Sequence, residues 1–98
     1  MAQPQEKQND IPDEAEWTWL KTHAQRDAVI IVAPKLPLLD AAYEIANDHT
    51  DQIQEWIQSG LLSKPTAEQI KAWDQNPVKR FMSLVVQPYV LIQELVLH

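Results

Sequence analysis

Residues 81–97 read FMSLVVQPYVLIQELVL, from Phe81 to Leu97, the most apolar run in a chain of 98 residues. A chain this short cannot leave such a run in water, so either the rest of the fold or a partner covers it. Two readings compete. As one strand, Met82, Leu84, Val86, Val90 and Ile92 line one face while Ser83 and Gln87 line the other. As a helix, Ser83, Gln87 and Glu94 fall near one stripe, with Asn76-Pro77 as a start signal. A proline inside that helix costs about 3 kcal/mol. The residue before a proline also prefers extended geometry. The strand reading is therefore preferred for Phe81–Val86, with Pro88 either letting the strand continue or opening a terminal helix.

A second apolar run supports that choice. Ala28–Ala33 (AVIIVA) is β-branched, apolar on both faces and closed by Pro34, the pattern of a strand with neighbours on either side and cover above and below. The neighbours available to it are Leu61–Lys64 and Phe81–Val86, which makes Ala28–Ala33 the central strand.

Helices fill the intervals. The first is expected from about Glu14 to Gln25, with Asp13 and Glu16 as a capping box and Trp17, Leu20 and Ala24 on its inner face. Lys35-Leu36-Pro37 turns into a second, Leu38 to Asn47, with Leu38, Ala42, Ile45 and Ala46 inward. Asp48-His49 breaks it. Thr50 can cap a third, Asp51 to Ser59, with Ile53, Trp56 and Ile57 inward. Gly60, the only glycine, stands where a left-handed C-terminal cap is needed, and Leu61 where such caps make their apolar contact. Thr66 and Gln69 form another capping box, opening a helix over Ala67–Gln75 with Ile70 and Trp73 inward. The expected fold is α+β, about four helices on a sheet of two to three strands. The alternative is a mainly α fold with the C-terminal stretch as a Pro-kinked helix. Residues 1–12 read as a disordered tail and 13–98 as one domain.

Composition narrows the function classes. The chain has no cysteine, which excludes disulfides, thiolate nucleophiles and zinc ribbons. Net charge is −6, and only Lys79-Arg80 are adjacent cations, so nucleic acid and anionic membranes are poor partners. The opening residues MAQPQEKQND carry neither a basic nor an apolar signal region. No uninterrupted apolar run approaches the roughly 20 residues of a membrane span. A cytoplasmic, non-spanning protein is expected. One glycine rules out Gly-rich phosphate loops. No nucleophile-elbow pattern surrounds Ser59, Ser63 or Ser83. No catalytic residue and no cofactor is assigned.

Three groups of side chains carry weaker signals. His49 with Asp48 and Asp51, and Asp40 nearby, offers the imidazole and carboxylates that suit a transition metal. However, Asp and Thr at a helix junction commonly serve as caps. Trp19, His23 and Arg26 project together if Trp17 and Leu20 face inward, and exposed Trp and Arg suit a protein interface. Gln87, Tyr89 and Gln93 sit inside the apolar run. They read as the polar anchors of a small-molecule pocket or an interface, or as the wet face of a strand.

The sequence also resembles a family of small uncharacterised bacterial proteins, found in cyanobacteria and proteobacteria and carried as a domain of unknown function. The resemblance rests on Trp17, Leu20, His23 and Arg26; on AVIIVAP; on Trp56, Ile57, Gly60 and Leu62 followed by Lys-Pro-Thr; and on the closing VQPYVLIQE. Asp27 stands where that pattern leads one to expect glycine. The resemblance implies no activity. The expected role is a non-enzymatic protein-interaction or regulatory domain, self-associating as a homodimer through excess apolar area at the C-terminus. The alternative is a small-molecule- or metal-binding enzyme using His and Asp residues.

Overall fold

The computed structural model describes residues 11–95. Most of the expected tail and the final three residues lie outside them. The elements in chain order are β1 (Asp13–Glu16), α1 (Trp17–Gln25), β2 (Val29–Val32), α2 (Leu38–Ala46), α3 (Thr50–Gln58), β3 (Leu62–Ser63), α4 (Ala67–Asp74), β4 (Arg80–Val86) and β5 (Tyr89–Glu94). The fold is α+β, and the described sheet has five strands rather than two or three, in the order β1-β4-β5-β2-β3.

The C-terminal run is a hairpin. Val86 pairs with Tyr89, so Gln87 and Pro88, joined by a cis peptide bond, form a two-residue turn. The helical alternative is thereby overturned. So is the single-face assignment, because a two-residue turn inverts the strand's parity. Leu84 pairs with Leu91 and Val85 with Val90. Val90 and Ile92 therefore face away from Met82, Leu84 and Val86. The strand beside β2 is β5, in parallel register with Val29 opposite Val90 and Ile31 opposite Ile92. Phe81–Val86 is a strand as expected, but it lies one place further out. The central strand is β5, not Ala28–Ala33.

Both faces of the sheet are covered. On one, Val32, Leu84, Val86, Leu91 and Leu62 pack with Leu38, Ala41 and Ala42 of α2, and Ile53 and Trp56 of α3 lean on this cluster. On the other, Val29, Phe81, Val90 and Ile92 pack with Trp17 and Leu20 of α1 and Trp73 of α4. Trp73 stands edge-on to both Trp17 and Phe81, with ring centroids 5.0 Å and 4.9 Å apart, a geometry that adds to area burial.

The N-terminal boundary of α1 differs from expectation. Asp13–Glu16 is a strand, with Ala15 opposite Phe81, and not a capping box. The first free amides of α1 find carbonyls instead: Trp17 N–H donates to Lys79 O at 2.9 Å and Thr18 N–H to Pro77 O at 3.1 Å. With those donors satisfied by the approach to β4, Asp13 is free to pair with Ser83 in the sheet. The second capping box forms as expected, with Gln69 N–H donating to Thr66 Oγ1 and Thr66 N–H to Gln69 Oε1. Two inward assignments fail: Ala46 is exposed while Ala41 is buried, and Ile57 is exposed, whereas Ile53 and Trp56 of α3 face inward, half-buried against the core.

Three helices end in the same way. After α1, α2 and α3 the chain enters the left-handed region at Asp27 (φ 62°), Asp48 (φ 55°) and Gly60 (φ 83°). In each case the following amide bonds back to a carbonyl five residues earlier: Ala28 to His23, His49 to Glu44 and Leu61 to Trp56, at 3.0, 3.0 and 2.8 Å. This is the Schellman arrangement. Asp27 thus occupies a position whose backbone favours glycine, and Asp is one of the few other residues to visit that region. Open space surrounds the site of a Cβ on Gly60, so only backbone strain opposes a side chain there. Gly60→Ala is expected to cost about 1–2 kcal/mol, and Asp48→Gly to change stability in the opposite direction. Urea unfolding of both variants checks this, and equal effects of the same sign would refute it.

Asp74, just below the aromatic cluster, accepts a hydrogen bond from Trp17 Nε1 at 2.8 Å and lies 3.2 Å from Lys21 Nζ. The indole bond first, and Lys21 second, hold its carboxyl below the ordinary value against the opposing effect of burial. A depressed folded-state pKa stabilises the fold above the unfolded value, about 3.9 for Asp, and that contribution disappears as pH falls through the folded value. Asp74→Asn keeps an oxygen for the indole but cannot ionise. Its unfolding free energy should therefore fall less steeply than the wild type's from pH 5 to pH 3; parallel profiles would exclude Asp74 as a contributor.

Candidate functional site

The described cavity with the strongest apolar character lies on the α2–α3 side of the sheet. Its volume is about 490 Å³, and Ile30, Ile45, Ile53, Ile57 and Leu62 form its wall. Asp48, Thr50, Ser63, Lys64 and Tyr89 complete the lining. Its origin is local. The nine residues of α3 contain only three large apolar side chains, Ile53, Trp56 and Ile57, too few to fill the space above β2 and β3. Ile57 remains 47% exposed and Tyr89 36%, so the cavity is a cleft open on one side. Its size falls in the range of small-molecule sites.

A second, shallow depression adjoins it and shares Asp48 and Thr50. Glu44, His49, Asp51 and Gln52 complete that lining. His49 Nδ1 lies 2.5 Å from Glu44 Oε1, and the His49 ring stands edge-on to Tyr43. Among the described residues, no three His, Asp or Glu side chains are grouped to hold a metal ion. Asp48 is the left-handed residue closing α2, Asp51 lies in the first turn of α3, and Asp40 lies in the first turn of α2. Thr50 does not cap α3. The helix includes it, and the residue before it, His49, makes no side-chain cap bond.

The other sequence candidates separate. Trp19 and His23 project together from α1, ring centroids 4.6 Å apart, and line a shallow depression with Glu16, Thr18 and Thr22. Arg26 is exposed at the C-terminal cap of the helix and is not in that lining. Of the C-terminal trio, Tyr89 reaches the cleft and Gln87 is exposed in the hairpin turn. Gln93 turns inward: its Nε2 donates to Ala33 O at 2.8 Å and Leu36 O at 2.7 Å, tying the loop after β2 to β5. From the sequence, Ile45, Ile53 and Ile57 read as core residues and Lys64 as the end of a short strand, none as part of a site. Apolar residues at helical spacing look the same whether they fill a core or line a cleft.

A family model described as "Protein of unknown function (DUF2288)" matches residues 4–94. The chain belongs to this family. A solved structure, the NMR solution structure of PA1075 from Pseudomonas aeruginosa, has a TM-score of 0.77 and 27% identity, over 90% of this chain and 84% of that one. This DUF2288 member therefore shares its fold with a bacterial protein. No curated protein matches. No helix among the described residues is long and apolar enough to cross a membrane.

The two bonds of Gln93 give a direct test of its structural role. Gln93→Leu removes both donors from carbonyls in a partly buried loop and is expected to cost about 2 kcal/mol. Gln93→Glu, which sets an acceptor against two acceptors, should cost more. A loss below about 0.5 kcal/mol in both, measured by denaturant unfolding, would remove Gln93 from the structural account.

Proposed function

We propose that this DUF2288 domain is a non-enzymatic binding domain with a regulatory role, and that its working surface is the cleft beneath α3. One observation carries the reading: α3 presents Ile53, Trp56 and Ile57 on a single stripe, and the core covers it only in part, with Ile53 and Trp56 half-buried and Ile57 exposed. An apolar stripe that the protein's own core leaves partly uncovered favours an apolar group from outside. The sequence-based case for a homodimer rested on surplus apolar area in the C-terminal run. Within the described residues that area lies largely inside the sheet, with Val90, Leu91 and Ile92 at most 2% exposed, while Val96 and Leu97 lie outside the described residues. The reading accordingly moves from the C-terminus to the α3 side. An enzymatic role for the His and Asp residues has less support, because Asp48 and Asp51 sit at helix ends and His49 contacts Glu44.

A neutral, environment-sensitive dye such as Nile red tests the cleft without favouring a charge. Saturable one-to-one binding with blue-shifted emission is expected. Ile57→Glu should weaken it about tenfold, whereas Trp19→Ala, on the opposite side of the sheet, should leave it unchanged. Absence of saturable binding, or loss in Trp19→Ala alone, would overturn the reading.

A further inference from the structure

The cleft and the depression beside it differ in chemistry, and together they point to the polarity of a ligand. The cleft wall is aliphatic. The depression it meets at Asp48 and Thr50 carries three carboxylates, Glu44, Asp48 and Asp51. Lys64 is the only cation in either lining, and Asp27 Oδ2 already holds its Nζ at 2.7 Å. His49 is paired with Glu44. Among the described residues no cation pairs with Asp48 or Asp51. The unmatched charge at the mouth is therefore negative, and the net charge of −6 adds a field of the same sign.

Resting on the binding role assigned to the cleft, we propose that its ligand is a small amphipathic amine. The apolar body lies among Ile30, Ile45, Ile53 and Ile57, and the ammonium group sits at the mouth against Asp48, with Asp51 beyond it. Tyr89 adds an aromatic face, which attracts cations. An anionic ligand would share Lys64 with Asp27 while facing Asp48. A neutral ligand could donate a hydrogen bond to a carboxylate but would form no ion pair with it.

Three probes of equal apolar body separate the possibilities: phenylbutylamine, phenylbutanol and phenylvalerate, titrated calorimetrically at neutral pH and as competitors of Nile red. The amine should bind about tenfold more tightly than the alcohol, with the carboxylate weakest. Asp48→Asn, which keeps a residue tolerant of the left-handed conformation, should remove most of that advantage while leaving alcohol binding intact. Added salt should weaken the amine alone. Equal binding of amine and alcohol would overturn the charge assignment and leave the cleft as a binding site. Tightest binding of the carboxylate would overturn it in favour of Lys64. If no probe displaces the dye and the dye itself fails to bind, the cleft reading falls as well.

Discussion

The structure depends on the position of β5, which is paired along both edges and covered on both faces. It runs antiparallel to β4 and parallel to β2, so its backbone groups are satisfied on both sides. Its three consecutive residues Val90, Leu91 and Ile92 are all buried. Consecutive side chains on a strand point to opposite faces, so a run buried at every position requires a layer above and a layer below. That requirement places α2 and α3 on one side and α1 and α4 on the other. It also explains why β1 must join the sheet. With β5 in the middle, β4 is left with a free edge, and Asp13–Glu16 pairs with it.

This constraint was partly legible in the sequence. The β-branched run Ala28–Ala33 and the apolar C-terminal run both announce strands, and each of the four helices lies near its expected place. Two steps could not be read. The Gln87-Pro88 pair carries none of the glycine or asparagine that marks a two-residue hairpin turn, so the reversal and the parity change it brings were hidden. Asp13-x-x-Glu16 matches a capping box by letter, but these residues pair with β4 and α1 begins after them, its first amides, Trp17 and Thr18, donating to Lys79 and Pro77, partners about sixty residues away that no local pattern reveals. The helix ends were more transparent where glycine marks them. Gly60 is recognisable at once, whereas Asp27 and Asp48 adopt the same backbone without the signal.

The candidate site was less legible still. Of the six interface candidates, Tyr89 alone lines the principal cleft. Gln93 proves to be a clamp on the loop after β2, and Trp19 and His23 stand together on the other side of the molecule. The cleft depends on volume: whether the side chains of α3 are large enough for the space above β2 and β3. Spacing along a sequence records which face a residue takes and says nothing of how much room that face must fill.

The two faces of the sheet show what this difference in volume does. On the α1–α4 side, Trp17, Trp73 and Phe81 bring three rings into edge-to-face contact. On the α2–α3 side the packing is aliphatic, α2 presents alanines at Ala41 and Ala42, and α3 is anchored at both ends by left-handed turns at Asp48 and Gly60. Those turns fix where the helix lies, so it cannot settle further onto the sheet to close the gap its short apolar stripe leaves. The same residue that fixes the start of α3, Asp48, also sets a carboxylate at the mouth of the cleft. Backbone geometry alone would be met at least as well by glycine there. The aspartate adds a charge that the turn does not need, where the aliphatic wall meets the acidic depression.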